Sequence, residues 1–367
     1  MSVEPVQVGI IGCGAISGIY LKNSKSFPAF DIAAVSDTRL EAAQARAAEY
    51  EIPKACTVAQ LLSDPEIELV LNLTPHAAHG PVGIQVVESG KSVYNEKPFA
   101  VEREDGQRML DAAQANGVRT GAAPDTFFGG VWQTARKLID DGAIGRPVGA
   151  MACLHAFKAP PVAPPDTSGA DYVSFYKTSF FTWGVTWSFD RGPYYLHALI
   201  HLLGPVRRVT GSVSTAWPEV AVPTHFAGVL DFANGAVGTL LITSDVHATG
   251  LPHIEIYGTE GSLRCIDPNC FGERPLLLRN KDEKELREVE ITFGYNQNSR
   301  GVGIADMAAG LRSGRPHRAS GQMGQHVIDI IHALHEASDQ GRHIELSTTC
   351  AQPAPLPEGL ADWTIDG

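Results

Sequence analysis

No two cysteines in this chain sit in the Cys-x-x-Cys spacing that holds zinc or runs thiol exchange. The six present, at 13, 56, 153, 265, 270 and 350, are scattered. A chain of 367 residues can build its core without disulfide staples, so they read as reduced thiols. No apolar run approaches the roughly 18–20 residues of a membrane-spanning helix. Basic residues are in deficit: 29 Lys and Arg face 41 Asp and Glu, for a formal net charge of -12. That balance argues against nucleic acid and against an anionic membrane as partners. Strand-like sequence begins by Val6 and leaves no room for a signal peptide, so the expected location is the cytoplasm. Internal repeats and low-complexity tracts are absent too. What remains is the composition of a soluble globular chain, 44% hydrophobic and 19% charged, long enough for two domains.

The most informative stretch is the first. Val6 to Ile11 is an apolar, β-branched run that reads as a buried strand, and it breaks into Gly12-Cys13-Gly14-Ala15-Ile16-Ser17-Gly18. Ile19 to Asn23 then reads as the first turns of a helix. Strand, glycine turn and helix N-terminus in that order form a diphosphate cradle. Gly12 allows the tight turn, Gly14 lets the ligand approach bare backbone, and the free N–H groups at Ala15 and Ile16 face the anion. The spacing departs from G-x-G-x-x-G, because Ser17 stands where the third glycine falls and glycine follows at 18. Serine is small enough for close helix–strand packing. Ile32 to Asp37 is a second apolar strand ending in a carboxylate, roughly 20–25 residues further on, as a dinucleotide site asks. Asp37 suits the adenosine ribose hydroxyls and repels a 2′-phosphate, which favours NAD; Arg39 close behind leaves NADP open.

From 6 to about 124 strands and helices alternate: a helix over Leu40–Tyr50, a strand at Glu68–Leu73, a helix from Pro81 to Glu88, a strand at Ser92–Asn95, a helix over Glu102–Asn116 and a strand within 118–123. This predicts a Rossmann domain over 1–124, a doubly wound parallel sheet with its ligand at the carboxyl ends of the strands. Thr74, Pro75, Glu96 and Lys97 should therefore ring one crevice. After Pro124 a helix (Val131–Asp140) and a strand near 148–157 lead into a proline-rich loop at 159–165. Antiparallel strands follow at Phe226–Phe232, Ala236–Thr243, Ile254–Tyr257, Ser262–Arg264, Leu276–Leu278 and Glu288–Phe293, and then a helix over Val327–Ala337 that Ser320 caps. The expectation is an α+β substrate and oligomerisation domain over 125–352 with an open, mostly antiparallel sheet. A proline-rich tail over 353–367 should pack loosely on the surface.

Asp190-Arg191-Gly192-Pro193-Tyr194-Tyr195-Leu196-His197 opens a further helix. A phenol, with an ordinary pKa near ~10, is a poor base at neutral pH unless a cation stabilises its anion. Lys97 within hydrogen-bond reach of Tyr194 would supply one, with Asp190 orienting either group. Taken alone, the segment reads rather as two half-buried tyrosines packing on an apolar helix. His197 and His201 stand at i and i+4, a zinc-compatible spacing, but no nearby carboxylate or cysteine completes a set, so no metal site is expected.

Taken together, Gly12 to Gly18, Thr74-Pro75-His76-Ala77-Ala78-His79, Glu96-Lys97-Pro98, Asp190 to Gly192 and Ile256-Tyr257-Gly258-Thr259-Glu260-Gly261 make the chain similar to the Gfo/Idh/MocA oxidoreductase family, over almost its whole length. The resemblance implies that Lys97 lies by the nicotinamide and that Asp190 and residue 194 complete a catalytic trio. Many members carry histidine at the position of Tyr194, and a tyrosine branch exists. It implies cofactor contacts from Gly12, Gly14, Ala15, Ile16, Asp37, Thr74, Pro75, His79, Glu96 and Lys97, and homo-oligomerisation, as dimer or tetramer, through the open sheet. Members with the Gly-Pro-Tyr-Tyr helix usually have a glycine run before the aspartate; here residues 180–189 are aromatic and bulkier. Trp183 and Trp187 can stack on the C–H faces of a sugar, or equally serve the core. His197, one turn past Tyr194, joins them as a substrate contact. The expected reaction is NAD-dependent dehydrogenation of a sugar, polyol or related hydroxy compound. A retained-NAD cycle of the epimerase, lyase or glycosidase type uses the same parts, and a non-catalytic NAD-binding sensor is the third reading.

Overall fold

The computed structural model describes residues 4–155, 186–216, 222–247 and 249–366. Trp183 and the proline-rich loop expected at 159–165 lie outside these residues. Six strands, β1 (Val6–Ile11), β2 (Phe30–Ser36), β3 (Lys54–Cys56), β4 (Leu69–Asn72), β5 (Ser92–Asn95) and β6 (Thr120–Ala122), form one sheet in the order β3-β2-β1-β4-β5-β6. Every pairing in it is parallel. All four residues of β4, and all four of β5, are buried, because helices cover both faces and leave no solvent side for alternation to mark. The helices are α1 (Ser17–Ser24), α2 (Leu40–Tyr50), α3 (Val58–Ser63), α4 (His76–Glu88) and α5 (Arg103–Asn116). Helix α4 starts at His76, ahead of the expected Pro81. Proline's fixed φ suits a helix, and one missing N–H near the start forgoes only one hydrogen bond. Strand order reverses between β1 and β4, which opens a crevice at their carboxyl ends.

The second sheet has nine strands: β7 (Pro147–His155), β8 (Val206–Ser214), β9 (His225–Phe232), β10 (Val237–Thr243), β11 (Ile254–Gly258), β12 (Gly261–Cys265), β13 (Leu276–Asn280), β14 (Arg287–Val289) and β15 (Ile344–Glu345). Their order is β14-β13-β12-β11-β7-β10-β9-β8-β15, antiparallel throughout except where β10 runs parallel to β7. On β10 the side chains of Leu240 and Ile242 enter the core while Val237 and Thr239 face out, the period of a strand covered on one face. The covering helices include α6 (Gly130–Asp140), α7 (Trp187–Asp190), α8 (Gly192–Leu203) and α10 (Gly321–Gln340). Every residue of α8 is buried, so the helix carrying Tyr194 is held rigidly inside the molecule. The Ser320 hydroxyl caps α10 by accepting from the Met323 amide at 3.2 Å. Helix α9 (Val302–Ser313) returns to the first sheet and packs on β1, β2 and β6. Among the described residues no helix is long and apolar enough to cross a membrane.

The tail is not loose. The Leu356 side chain is buried and its amide donates to Gln133 Oε1 at 2.8 Å. Trp363 meets the Phe27 ring edge-on with centroids 5.0 Å apart. Arg318, itself buried, donates to the carbonyls of Ala354 and Pro355 and pairs with Asp366 at 2.8 Å. Buried donors need acceptors, and this segment supplies them; proline content marked an extended chain and said nothing of its anchorage.

Candidate active site

The glycine loop explains itself residue by residue. Gly12 has φ +104°, and a Cβ there would lie 2.6 Å from the Leu73 carbonyl oxygen, so only glycine fits. A Cβ on Gly14 would meet no protein atom within 4 Å, so the fold itself does not demand glycine at this position. A Cβ on Gly18 would stand 3.0 Å from the Tyr50 hydroxyl, which makes it the close-packing glycine between α1 and α2. Ser17 is fully buried and donates to the Gly14 carbonyl at 2.6 Å, tightening the turn. Among the described residues no hydrogen bond uses the amides of Gly14, Ala15 and Ile16. Backbone donors at a helix N-terminus beside an unforced glycine are the features a diphosphate needs, and the loop fits one. Asp37, half-buried at the end of β2, accepts from the Cys13 amide at 2.9 Å with one oxygen and from the Arg39 amide at 3.0 Å with the other. Arg46 of α2 reaches the carbonyls of Cys13 and Gly14, both at 3.4 Å.

The opposite wall is built by strand-end asparagines that the sequence reading did not single out. Asn72 and Asn95 lie side by side in register, and Asn72 Nδ2 donates to Asn95 Oδ1 at 3.0 Å. Both amides also donate to the His79 carbonyl at 3.1 Å, and Asn95 reaches the Phe99 carbonyl at 2.8 Å. A polar residue closing an otherwise apolar buried strand was the available signal. His79 is buried, with Nδ1 and Nε2 each 2.7 Å from a carbonyl oxygen, of Pro98 and Thr74 respectively. Its ring therefore braces two crevice loops against each other. Glu96 is similarly committed: one oxygen takes the Tyr20 hydroxyl at 2.9 Å, the other the Lys97 amide at 2.7 Å. Both residues hold the crevice wall through protein groups, and for His79 this is the loop-orienting role open to it from the sequence.

Lys97 leaves the end of β5 and its Nζ meets Asp190 Oδ1 at 2.6 Å and the Asp190 carbonyl at 3.0 Å. Burial alone would raise the Asp190 carboxyl, but the Lys97 charge and hydrogen bond, with His76 and Arg191, hold it down at about 2. His76 shares this corner; burial, with the Lys97 and His79 charges, pushes it down to about 3, so its imidazole is neutral. Tyr194 is 7% exposed, with Lys97 Nζ 5.4 Å and Arg191 Cζ 5.7 Å from its ring centroid. The expected trio of Lys97, Asp190 and Tyr194 is thus assembled in one place. A further cation, missed in the sequence, stands within electrostatic range of it: Arg300, whose guanidinium donates to Asn298 Oδ1 at 2.9 Å and Asn269 Oδ1 at 2.6 Å. Only tertiary structure could reveal it, since nothing local marks a loop arginine.

Trp187 opens α7 and is buried beside this corner. His197, one turn past Tyr194, is buried on the same helix. Its Nδ1 contacts the Pro193 carbonyl at 2.8 Å, its ring stacks on Phe127, and burial pushes it down to about 4. Helix α8 is buried all round. His201, one turn later, lies against Phe127 and Gln133.

Comparison with known proteins agrees with this geometry. Residues 6–123 match the family model described as "Oxidoreductase family, NAD-binding Rossmann fold", and residues 132–264 match the GFO/IDH/MocA C-terminal domain. The chain is 26% identical over 352 residues to 1,5-anhydro-D-fructose reductase of Ensifer adhaerens, covering 93% of this chain and 98% of the relative. It is 21% identical over 350 residues to myo-inositol 2-dehydrogenase of Thermotoga maritima, covering 93% and 98%. Among solved structures, levoglucosan dehydrogenase in complex with NADH superposes with a TM-score of 0.78 at 21% identity, covering 94% of this chain and all of the other, 100%. Two matched domains, a parallel sheet with a glycine cradle and a lysine–aspartate pair at its crevice lead to one conclusion: the chain belongs to the GFO/IDH/MocA oxidoreductase family and has its NAD-binding Rossmann domain.

Proposed function

We propose that the protein is a dehydrogenase that moves a hydride between NAD and a CH–OH carbon of a sugar, polyol or related hydroxy compound. The observation that carries this reading is the meeting of Lys97 and Asp190 at 2.6 Å beside the Tyr194 ring, at the mouth of the crevice. On this reading Gly12, Gly14, Ala15 and Ile16 hold the diphosphate, Asp37 the adenosine ribose, and Thr74 and Pro75 the crevice wall. NAD, when bound, supplies the acceptor for the hydride. The chain itself handles the proton: Tyr194 takes it from the substrate hydroxyl, and Lys97 polarises the same oxygen. Asp190 fixes Lys97 in place and stays ionised, while Trp187 offers an apolar wall to the C–H face of a ring. Relatives named for anhydrofructose reduction and inositol oxidation support the substrate class. The outer face of the second sheet, with Val237 and Tyr257 exposed side by side across Gly149, suits cover by a second copy of the chain.

The test is to denature the purified protein and quantify released nucleotide, oxidised and reduced forms separately. Protein free of nucleotide that binds NAD reversibly and forms NADH from a sugar or polyol supports the dehydrogenase. Near-stoichiometric NAD surviving dialysis directs the search to isomerised, eliminated or cleaved products instead. Failure to hold or bind any dinucleotide refutes both.

A further inference from the structure

From Thr186 to Gly204 every residue is buried except one, Arg191. It stands between Asp190 and the first turn of α8, and its side chain keeps 24% of its surface exposed. The protein serves its guanidinium poorly. Among the described residues no hydrogen bond uses it: Nε is buried without a partner, and the carboxylate it faces, Asp267, lies 3.6 Å from Nη2, beyond hydrogen-bond reach. Donors in a buried setting are normally satisfied, so N–H groups left open beside a reaction centre call for an acceptor brought by a ligand.

Two neighbours fix this group without consuming it. Arg191 and Tyr194 share a face at the start of α8, and the guanidinium carbon stands 5.7 Å from the centroid of the phenol ring. Such a cation–π contact engages the charge but occupies no N–H donor. Asp267 is held back from the remaining gap, because its other oxygen accepts from the Asn269 amide at 2.9 Å and its carbonyl from the Cys270 amide at 2.9 Å. The same turn anchors a second guanidinium, with Asn269 Oδ1 accepting from Arg300 at 2.6 Å. Lys97 Nζ lies 5.4 Å from the Tyr194 ring centroid. One phenol is thus bordered both by the lysine that polarises the reacting oxygen and by a guanidinium with open donors.

We propose that Arg191 is a substrate contact that receives a carboxylate, and that the hydroxy compound oxidised at Lys97 and Tyr194 is therefore a polyhydroxy acid. The proposal rests on the dehydrogenase reading and narrows its substrate class. A guanidinium fork matches the two oxygens of a carboxylate, whereas a lone hydroxyl engages only part of it. On a chain with a formal net charge of -12 an anion is repelled unless a local cation receives it. Asp267 decides between anions. At 3.6 Å its charge already offsets part of the guanidinium's, so a single negative charge is accommodated where the dianion of a phosphate ester is repelled. The carboxylate takes no part in the proton transfer; it holds the carbon chain so that the reacting hydroxyl lies at Lys97.

The experiment measures binding to the full chain loaded with NADH, so that no oxidation intervenes. Acids are paired with neutral compounds of matching stereochemistry: D-gluconate with D-glucitol, D-glucuronate with D-glucose, and D-galacturonate with D-galactose. D-glucose 6-phosphate serves as the other anion. At least one acid should bind roughly 10- to 100-fold more tightly than its neutral partner, and Arg191→Met should remove that advantage. Arg191→Lys keeps the charge without the fork and should keep only part of it. Equal weakening of acid and neutral partner in Arg191→Met would mean a merely structural role and overturns the proposal. So does a wild type that binds no acid ahead of its partner, through equal affinities or through none, and so does the phosphate ester binding ahead of every acid. If Arg191→Met does not fold, Asp267→Asn removes the opposing charge and should tighten the acids several-fold; unchanged affinity is again fatal. The dehydrogenase reading is judged separately, by NADH formation from NAD with the same compounds. Oxidation of the neutral partners with no preference for acids keeps that reading and refutes the Arg191 site. An acid that binds through Arg191 and never forms NADH does the reverse.

Discussion

Replacing Asp190 by asparagine tests the centre of the site most directly. Its side chain is 6% exposed and that of Lys97 11%, so the substitution leaves an ammonium with little water and without its counter-charge. Breaking a buried pair from one side costs about 3–5 kcal/mol. The titration of the carboxylate sets an independent scale. A carboxyl held at about 2 against an ordinary 3.8 carries about 2–3 kcal/mol of stability at neutral pH. Because the folded value is the lower one, that contribution is complete above the unfolded value and is lost as the pH falls through the folded one. Urea unfolding of wild type and Asp190→Asn at neutral pH should therefore differ by about 2–5 kcal/mol, and the gap should narrow on going down toward about pH 3. Adding Lys97→Met to Asp190→Asn removes the stranded charge and should recover part of the loss. A difference under about 0.5 kcal/mol at neutral pH, or a double variant whose losses simply add, would refute the coupling.

Three further outcomes are expected. Gly14→Val should abolish NAD binding, measured by calorimetry, with an unchanged melting temperature, because a Cβ there meets no protein atom; Gly12→Ala should instead lower the melting temperature through its φ of +104° and the Leu73 carbonyl. Equal effects on folding from both would remove the distinction between a ligand-facing and a fold-facing glycine. Tyr194→Phe should lower kcat/KM by roughly 10²–10⁴-fold with the NAD dissociation constant unmoved, and wild-type turnover in that variant would end its role as proton carrier. Truncation after Gln352 strands Arg318 and uncovers the Leu356 site, so thermal unfolding should show a loss of at least roughly 3 kcal/mol; a truncated chain that melts like wild type would mean the tail contacts contribute nothing.

Local features are legible in consecutive residues. Leu40–Tyr50 and Ser92–Asn95 fall where periodicity and punctuation place them, because a helix stripe or a buried run bounded by glycine is written along the chain itself. Less visible are β8, which alternates weakly between apolar and polar residues, and α9, whose glycine-containing apolar sequence lacks a polar face. Helix α8 is buried on every side, and a fully buried helix offers no exposed face from which the direction of His197 could be read in the sequence.

The sequence by itself determined the alternation of strand and helix, the glycine cradle, the carboxylate after β2 and the identity of Lys97, Asp190 and Tyr194, since each depends on neighbours within a few positions. Tertiary structure decided which of these meet. Lys97 and Asp190 are 93 residues apart and touch only because α7 is packed against the crevice. Strand β10 pairs in parallel with β7, and the loop carrying Arg300 is clamped by Asn23 and Asp125. Such contacts carry no local signature, because their energy comes from burial and charge shared across distant segments.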